Sequence, residues 1–140
     1  TTNMAAGKYK LRDGERVRLT RAVIATGTVI EAGDLVTIAS GLITKAAAAS
    51  TAVAFCPDGH AANTGTTVEV TVGNDFTLIG EGDAVFAAAY RGGEYDINDT
   101  TQTVDYGASS TDVLKVDISE DAGVDGTGAG VTVRINKPLF

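Results

Sequence analysis

Apolar and polar residues alternate along several short stretches of this chain. Val17 and Leu19 alternate with Arg16 and Arg18. The same period runs through Thr67-Val68-Glu69-Val70-Thr71-Val72, Leu114-Lys115-Val116-Asp117-Ile118 and Val131-Thr132-Val133-Arg134-Ile135-Asn136. A period of two sends successive side chains to opposite faces, so each stretch is expected to be a strand with one buried and one wet face. On this reading Arg16 and Arg18 point outward from the first strand, and Arg21 lies just past it. Turn signals separate the stretches: Glu31-Ala32-Gly33-Asp34, Ser40-Gly41, Pro57-Asp58-Gly59, Asn63-Thr64-Gly65, Gly73-Asn74-Asp75, Gly92-Gly93 and the run from Gly123 to Gly130. Signals at roughly 8–12-residue intervals are typical of sandwiches and barrels, so the expected class is all-β.

Two segments depart from that rhythm. Ala46-Ala47-Ala48-Ala49 has helical propensity, but a helix confined to residues 45–54 is marginal, so at most a short helix or an irregular crossover is expected there. The glycine-rich segment before Val131 is expected to be a mobile hairpin loop.

An internal similarity divides the chain. Thr28–Ala39 aligns with Thr77–Ala88, with identities at Thr28/Thr77, Ile30/Ile79, Gly33/Gly82, Asp34/Asp83, Val36/Val85 and Ala39/Ala88. Each copy reads as strand, tight turn and returning strand, with glycine giving backbone freedom and aspartate capping the turn. Duplication and the plain frequency of such turns both account for it. The resulting organisation is an extended arm over residues 1–12 and a single β domain over 13–140. Its sub-units cover about 15–72 and 76–140.

Composition sharpens this picture. The 140 residues are 44% apolar, but only 6% are aromatic and none is Trp. Small and β-branched residues suit thin β-layers. A core of Ala and Val is modest, and self-association would supplement it. One cysteine permits no intrachain disulfide, which favours a reducing cytoplasm during assembly. Neither a signal peptide nor a membrane span is expected, since no apolar run is long enough.

Charge is unevenly placed. Lys8, Lys10, Arg12, Arg16, Arg18 and Arg21 are six of the 11 Lys and Arg residues, opposed locally only by Asp13 and Glu15. Residues 1–21 thus carry a net +4 and the rest −11, within a total of −7. An acidic body with one basic end suits attachment to an acidic surface and disfavours nucleic acid.

Candidate chemistry is sparse. Cys56 and His60 flank a Pro-Asp-Gly turn without an evident third group to orient them, and zinc would need more Cys and His ligands than this chain has. A buried thiol and a surface His are the expectation. Gly126-Thr127-Gly128-Ala129-Gly130 leads into a strand rather than a helix, unlike a dinucleotide loop. The acidic run from Asp117 to Asp125 lacks the spacing of a calcium hand and reads as a solvated loop. Adjacent acids such as Glu120-Asp121, and Tyr9, Tyr90, Tyr95 and Tyr106, suggest no site. No catalytic, cofactor-binding or metal residue is assigned, no cofactor is expected, and the protein is not expected to be an enzyme.

The order of motifs carries a resemblance. The basic arm is followed by Gly27-x-Val29-Ile30-x-Ala32-Gly33-Asp34-Leu35-Val36 and the hairpin Ala39–Ala46. An Ala-rich crossover, Gly65–Val72, Gly93-Glu94-Tyr95-Asp96-Ile97, Val104-Asp105-Tyr106-Gly107 and a final strand come next. From about Gly14 to Ile135 the chain resembles the small capsid decoration, or cement, proteins of tailed double-stranded DNA bacteriophages. The resemblance implies a compact β-barrel or β-tulip-like fold. It also implies a homo-oligomer, a trimer foremost, on the outer surface of the virion capsid after assembly in the host cytoplasm. The implied partner is the major capsid protein, with neither nucleic acid nor membrane bound. The implied role is stabilising contacts between capsid subunits. Candidate capsid contacts are Lys8, Lys10, Arg12, Arg16, Arg18 and Arg21. A tail, neck or head-fibre component is the alternative within virion parts, and a small β-fold enzyme or ligand-binding domain is the alternative from another class.

Overall fold

The computed structural model describes residues 8–59, 67–123 and 128–140. These residues form an all-β domain whose ladders are antiparallel. The strands in chain order are β1 (Lys10–Leu11), β2 (Arg18–Val23), β3 (Asp34–Ala39), β4 (Leu42–Lys45), β5 (Ala54–Cys56) and β6 (Thr67–Val72). They continue with β7 (Leu78–Glu81), β8 (Glu94–Ile97), β9 (Val104–Asp105), β10 (Leu114–Val116) and β11 (Ala129–Ile135). A six-stranded sheet has the order β1-β7-β11-β10-β8-β9. β2 pairs with β6, and a three-stranded sheet has the order β4-β3-β5.

The two small sheets enclose one core and lean on another. Ile24, Val36, Ile43, Ala54, Cys56, Val68 and Val70 form the smaller cluster. An isolated bridge between Ile24 and Ile43 joins the end of β2 to β4. On the opposite side the Phe55 N–H donates to Thr71 Oγ1 at 2.9 Å, so a side chain links β5 to β6. The larger cluster includes Leu35, Phe55, Phe76, Leu78, Ile97, Val104, Leu114, Val116, Val131, Val133 and Ile135. Leu35 and Phe55 thus face one core while their neighbours Val36, Ala54 and Cys56 face the other. β3 and β5 form a wall shared by both cores, which is why β5 is buried throughout. The period of two, applied to a strand buried on both faces, needs apolar side chains at every position.

Gln102 seals this wall. It lies between β8 and β9, and its amide does the work of a short strand. The Leu35 N–H donates to Gln102 Oε1 at 2.9 Å, and Nε2 donates to the carbonyls of Leu35 and Ala46, both at 2.8 Å. The residue holds a left-handed φ of 62°, uncommon for a side chain of this size.

Three expectations change here. First, β2 faces the other way. In register with β6, Thr20 and Ala22 lie opposite the buried Val70 and Val68, so the small residues turn inward with Ile24. Leu19, Arg21 and Val23 take the outer face, and Arg21 lies within the strand. Arg18 shares the inward parity but is exposed at the strand's start. Second, residues 8–12 of the expected arm belong to the body: β1 pairs with β7, and Tyr9 is buried. Residues 1–7 lie outside the described residues. The segment 45–54 is the irregular crossover that the sequence allows, with no helix. The Ala47 N–H donates to Ser50 Oγ and the Ser50 N–H to the Ala47 carbonyl, closing a turn. The one helical element among the described residues is a 3-10 turn at Ala88–Tyr90. Third, the two similar segments differ in shape. Gly33 has φ 92° and precedes β3, whereas Gly82 follows β7 without a left-handed φ. Asp34 Oδ2 accepts the Glu31 N–H within its own turn, while Asp83 Oδ1 accepts from distant Tyr106.

The Ser40-Gly41 turn forms as the sequence predicts. Both residues have positive φ, the geometry of a two-residue hairpin loop that matches strand twist.

Candidate docking surface

The six basic residues singled out by the sequence do not form one patch. Lys8 Nζ lies 3.8 Å from Glu81 Oε1. Arg12 lies 3.9 Å from Asp117 and 3.6 Å from Asp121. Lys10 is exposed on β1, an edge strand of the six-stranded sheet. Arg21 is exposed, and its Nη1 donates to Thr67 Oγ1 at 2.9 Å across the β2–β6 ladder. Arg16 and Arg18 come together, lining a cleft of about 410 Å³ beside the Gly73-Asn74-Asp75 turn.

A second cleft of about 330 Å³ shares Asn74 and Asp75 with the first. Lys115 and Arg134 line it. They are direct partners in the β10–β11 register, and both are exposed. Arg134 Nη1 lies 3.9 Å from Asp75 Oδ1. The sequence places both cations on wet strand faces, since each sits between buried neighbours. It does not show that β10 and β11 pair in this register, and so it missed that they line a cleft at the same turn as Arg16 and Arg18.

The groups suspected of chemistry are held otherwise. Cys56 is buried, and burial, aided by the nearby Asp34 and Asp58 carboxylates, pushes its thiol up to about 11. Such a thiol is not a nucleophile at neutral pH. His60 lies outside the described residues, so the pair has no geometry to report. Asp34 is buried; burial raises its carboxyl, and Lys45 Nζ at 3.1 Å opposes that rise. Asp121 is fully exposed, and its carboxyl is lowered by the Ser119 hydroxyl and then by Arg12. Among the described residues no three His, Cys, Asp or Glu side chains are grouped to hold a metal. No helix in the described residues is long and apolar enough to cross a membrane.

Tyr90, Tyr95 and Tyr106 form an aromatic cluster. Tyr90 and Tyr106 stack at 4.1 Å, and Tyr95 meets both edge-on. Burial first, and then the Asp83 carboxylate, raise the Tyr106 hydroxyl to about 12. With rings stacked this closely, the cluster packs the β8–β9 end rather than opening a slot for a ligand.

Compared with known proteins, the chain matches no family model, no curated protein and no solved structure.

Proposed function

We propose that this protein is a virion structural component that decorates the outer surface of a phage head and stabilises contacts between major capsid subunits. The observation that carries the reading is a set of exposed cations on a small acidic β body. Lys10, Arg16, Arg18 and Arg21 are exposed cations on a chain of net charge −7. The order of β-motifs resembling decoration proteins supports it independently. β1 adds a means of attachment, because an edge strand offers backbone groups to a strand from a partner. Cations beside that edge would speed and orient docking on an acidic surface. Homo-oligomerisation, as a trimer, belongs to the same proposal. The test is co-sedimentation with purified mature heads of the phage that encodes the chain. Saturable binding in many copies per head is expected, and absence of binding overturns the proposal. Binding in only a few copies per virion would assign it to a tail, neck or head-fibre position instead.

A further inference from the structure

Four of the chain's cations gather around one turn, in two clefts that share Asn74 and Asp75; Lys10, Arg21 and Lys137 lie elsewhere, also without a carboxylate at ion-pair distance among the described residues. Lys8, Arg12 and Lys45 have carboxylate partners within the chain. Arg91 donates to the carbonyls of Ser119 and Glu120. Among the described residues, no carboxylate lies within ion-pair distance of Arg16, Arg18 or Lys115. These three, with Arg134, line the two clefts that meet at Asn74 and Asp75. Asp75 is the sole carboxylate lining them.

The arrangement works against the fold. Lys115 and Arg134 are directly opposed across an antiparallel ladder, and like charges there are unfavourable. Glu94, the partner of Lys115 on the other side, offsets part of this, as does Asp75 beside Arg134. A net surplus of two cations remains with Arg16 and Arg18 facing the same turn. Such a surplus is relieved by a ligand that brings carboxylates.

We infer that the groove formed by Arg16, Arg18, Lys115 and Arg134 around Asn74-Asp75 binds an extended acidic segment of a partner protein. Guanidinium forks donate paired hydrogen bonds to carboxylates, which gives the groove direction as well as charge. The first cleft also has an apolar part in Val17, Val72 and Phe76, which suits side chains alternating with the acids. Nucleic acid fits less well, because its dense charge would meet the repulsion of an acidic body. A second copy of this chain brings its whole net charge of −7 to the contact, whereas a short segment brings only the charges that the groove neutralises. The inference rests on the capsid reading only for which protein supplies the segment.

The test is fluorescence anisotropy of the full chain with a labelled peptide of about ten residues alternating Glu and Thr, long enough to cross both clefts. Binding is expected at low salt and should weaken steadily as NaCl rises from about 25 to 300 mM. The double variant Arg16→Glu/Arg134→Glu should weaken it by about tenfold or more. Both sites are exposed, and Glu at 134 would face Lys115, so the variant should fold. Ala49→Glu, which adds negative charge on an exposed loop elsewhere, should bind within about twofold of wild type. Absence of peptide binding, or equal loss in Ala49→Glu, overturns the inference. It is also overturned if a single-stranded oligonucleotide of similar length binds more tightly, or if sedimentation shows self-association that Arg134→Glu abolishes. The capsid assay is read separately. Heads that bind wild type and double variant equally overturn the capsid as the source of the segment and leave the decoration reading. A peptide that binds while heads do not removes the decoration reading and leaves the groove.

Discussion

The Tyr9 hydroxyl donates to the backbone carbonyl of Gln102 at 2.7 Å, across 93 residues of chain. The Tyr9 ring lies against Gly80, where any β-carbon would collide with it. Together these contacts fasten the segment holding Lys8 and Lys10 to the body. Tyr9→Phe should cost about 1 kcal/mol, since it orphans one carbonyl, and Tyr9→Ala about 3–5 kcal/mol. Urea denaturation measures both. Removing residues 1–12 would therefore damage the fold as well as any contact surface, and Lys10→Glu is the cleaner probe of β1 in the capsid assay. If β1 is an attachment edge, Lys10→Glu should weaken binding and leave the melting temperature within about 2 °C of wild type.

Gln102→Ala should be more damaging. It leaves the Leu35 N–H and carbonyl and the Ala46 carbonyl without the side-chain partner that the wall provides. The Leu35 carbonyl keeps the Ala46 N–H at 3.0 Å, so the Leu35 N–H and the Ala46 carbonyl are the groups left unsatisfied; at about 1–3 kcal/mol each, with partial rescue by water, a loss of about 3 kcal/mol is expected. Gln102→Glu should not restore stability, because a carboxylate cannot donate to the two carbonyls. Hydrogen exchange should quicken at Leu35 before it does in β11.

Acid should weaken the Asp96 contact. Burial alone would raise this carboxyl, but the backbone N–H groups of Asp112 and Thr111, at 2.9 and 2.8 Å, hold it below its ordinary value. A lowered folded value means the contribution is complete above the unfolded value, about 3.9, and is lost as pH falls through the folded one. Asp96→Ala should cost about 2 kcal/mol at pH 7. Its deficit relative to wild type should shrink below about pH 4, as paired denaturation curves at the two pH values would show.

The thiol of Cys56 should be inert. Its burial and raised pKa predict no reaction of the native protein with a thiol reagent at pH 7.5 and prompt reaction once urea unfolds it. Rapid modification of the native chain would contradict the burial and revive an enzymatic role for this residue.

Much of the β content was legible in the sequence because half-buried strands announce themselves. Val68 and Val70, Leu114 and Val116, and Val131, Val133 and Ile135 alternate with polar residues and are buried as their period requires. Ser40-Gly41 marks its hairpin because two positive φ angles favour such residues. In β2 the alternation of Arg16-Val17-Arg18-Leu19 misleads from Leu19 onward, where the apolar side chain is exposed. Thr20 and Ala22 are small and mark no face by themselves; only the register with Val70 and Val68 turns them inward. The similar segments around Gly33 and Gly82 diverge for a related reason. The same turn residues serve whichever strand lies beside them.

The basic groove illustrates the same division. From the sequence follow the polarised charge, the strand period and the outward placement of Lys115 and Arg134. All three depend on residues close along the chain. Tertiary structure decided that Lys8 and Arg12 would be matched by Glu81, Asp117 and Asp121, and that Arg16 and Arg18 would line one cleft at the Asn74-Asp75 turn and Lys115 and Arg134 another. It also decided that Gln102 would complete a strand edge far from it in sequence. Local periodicity sets which side of a strand is wet, whereas long-range pairing sets which wet sides face one another.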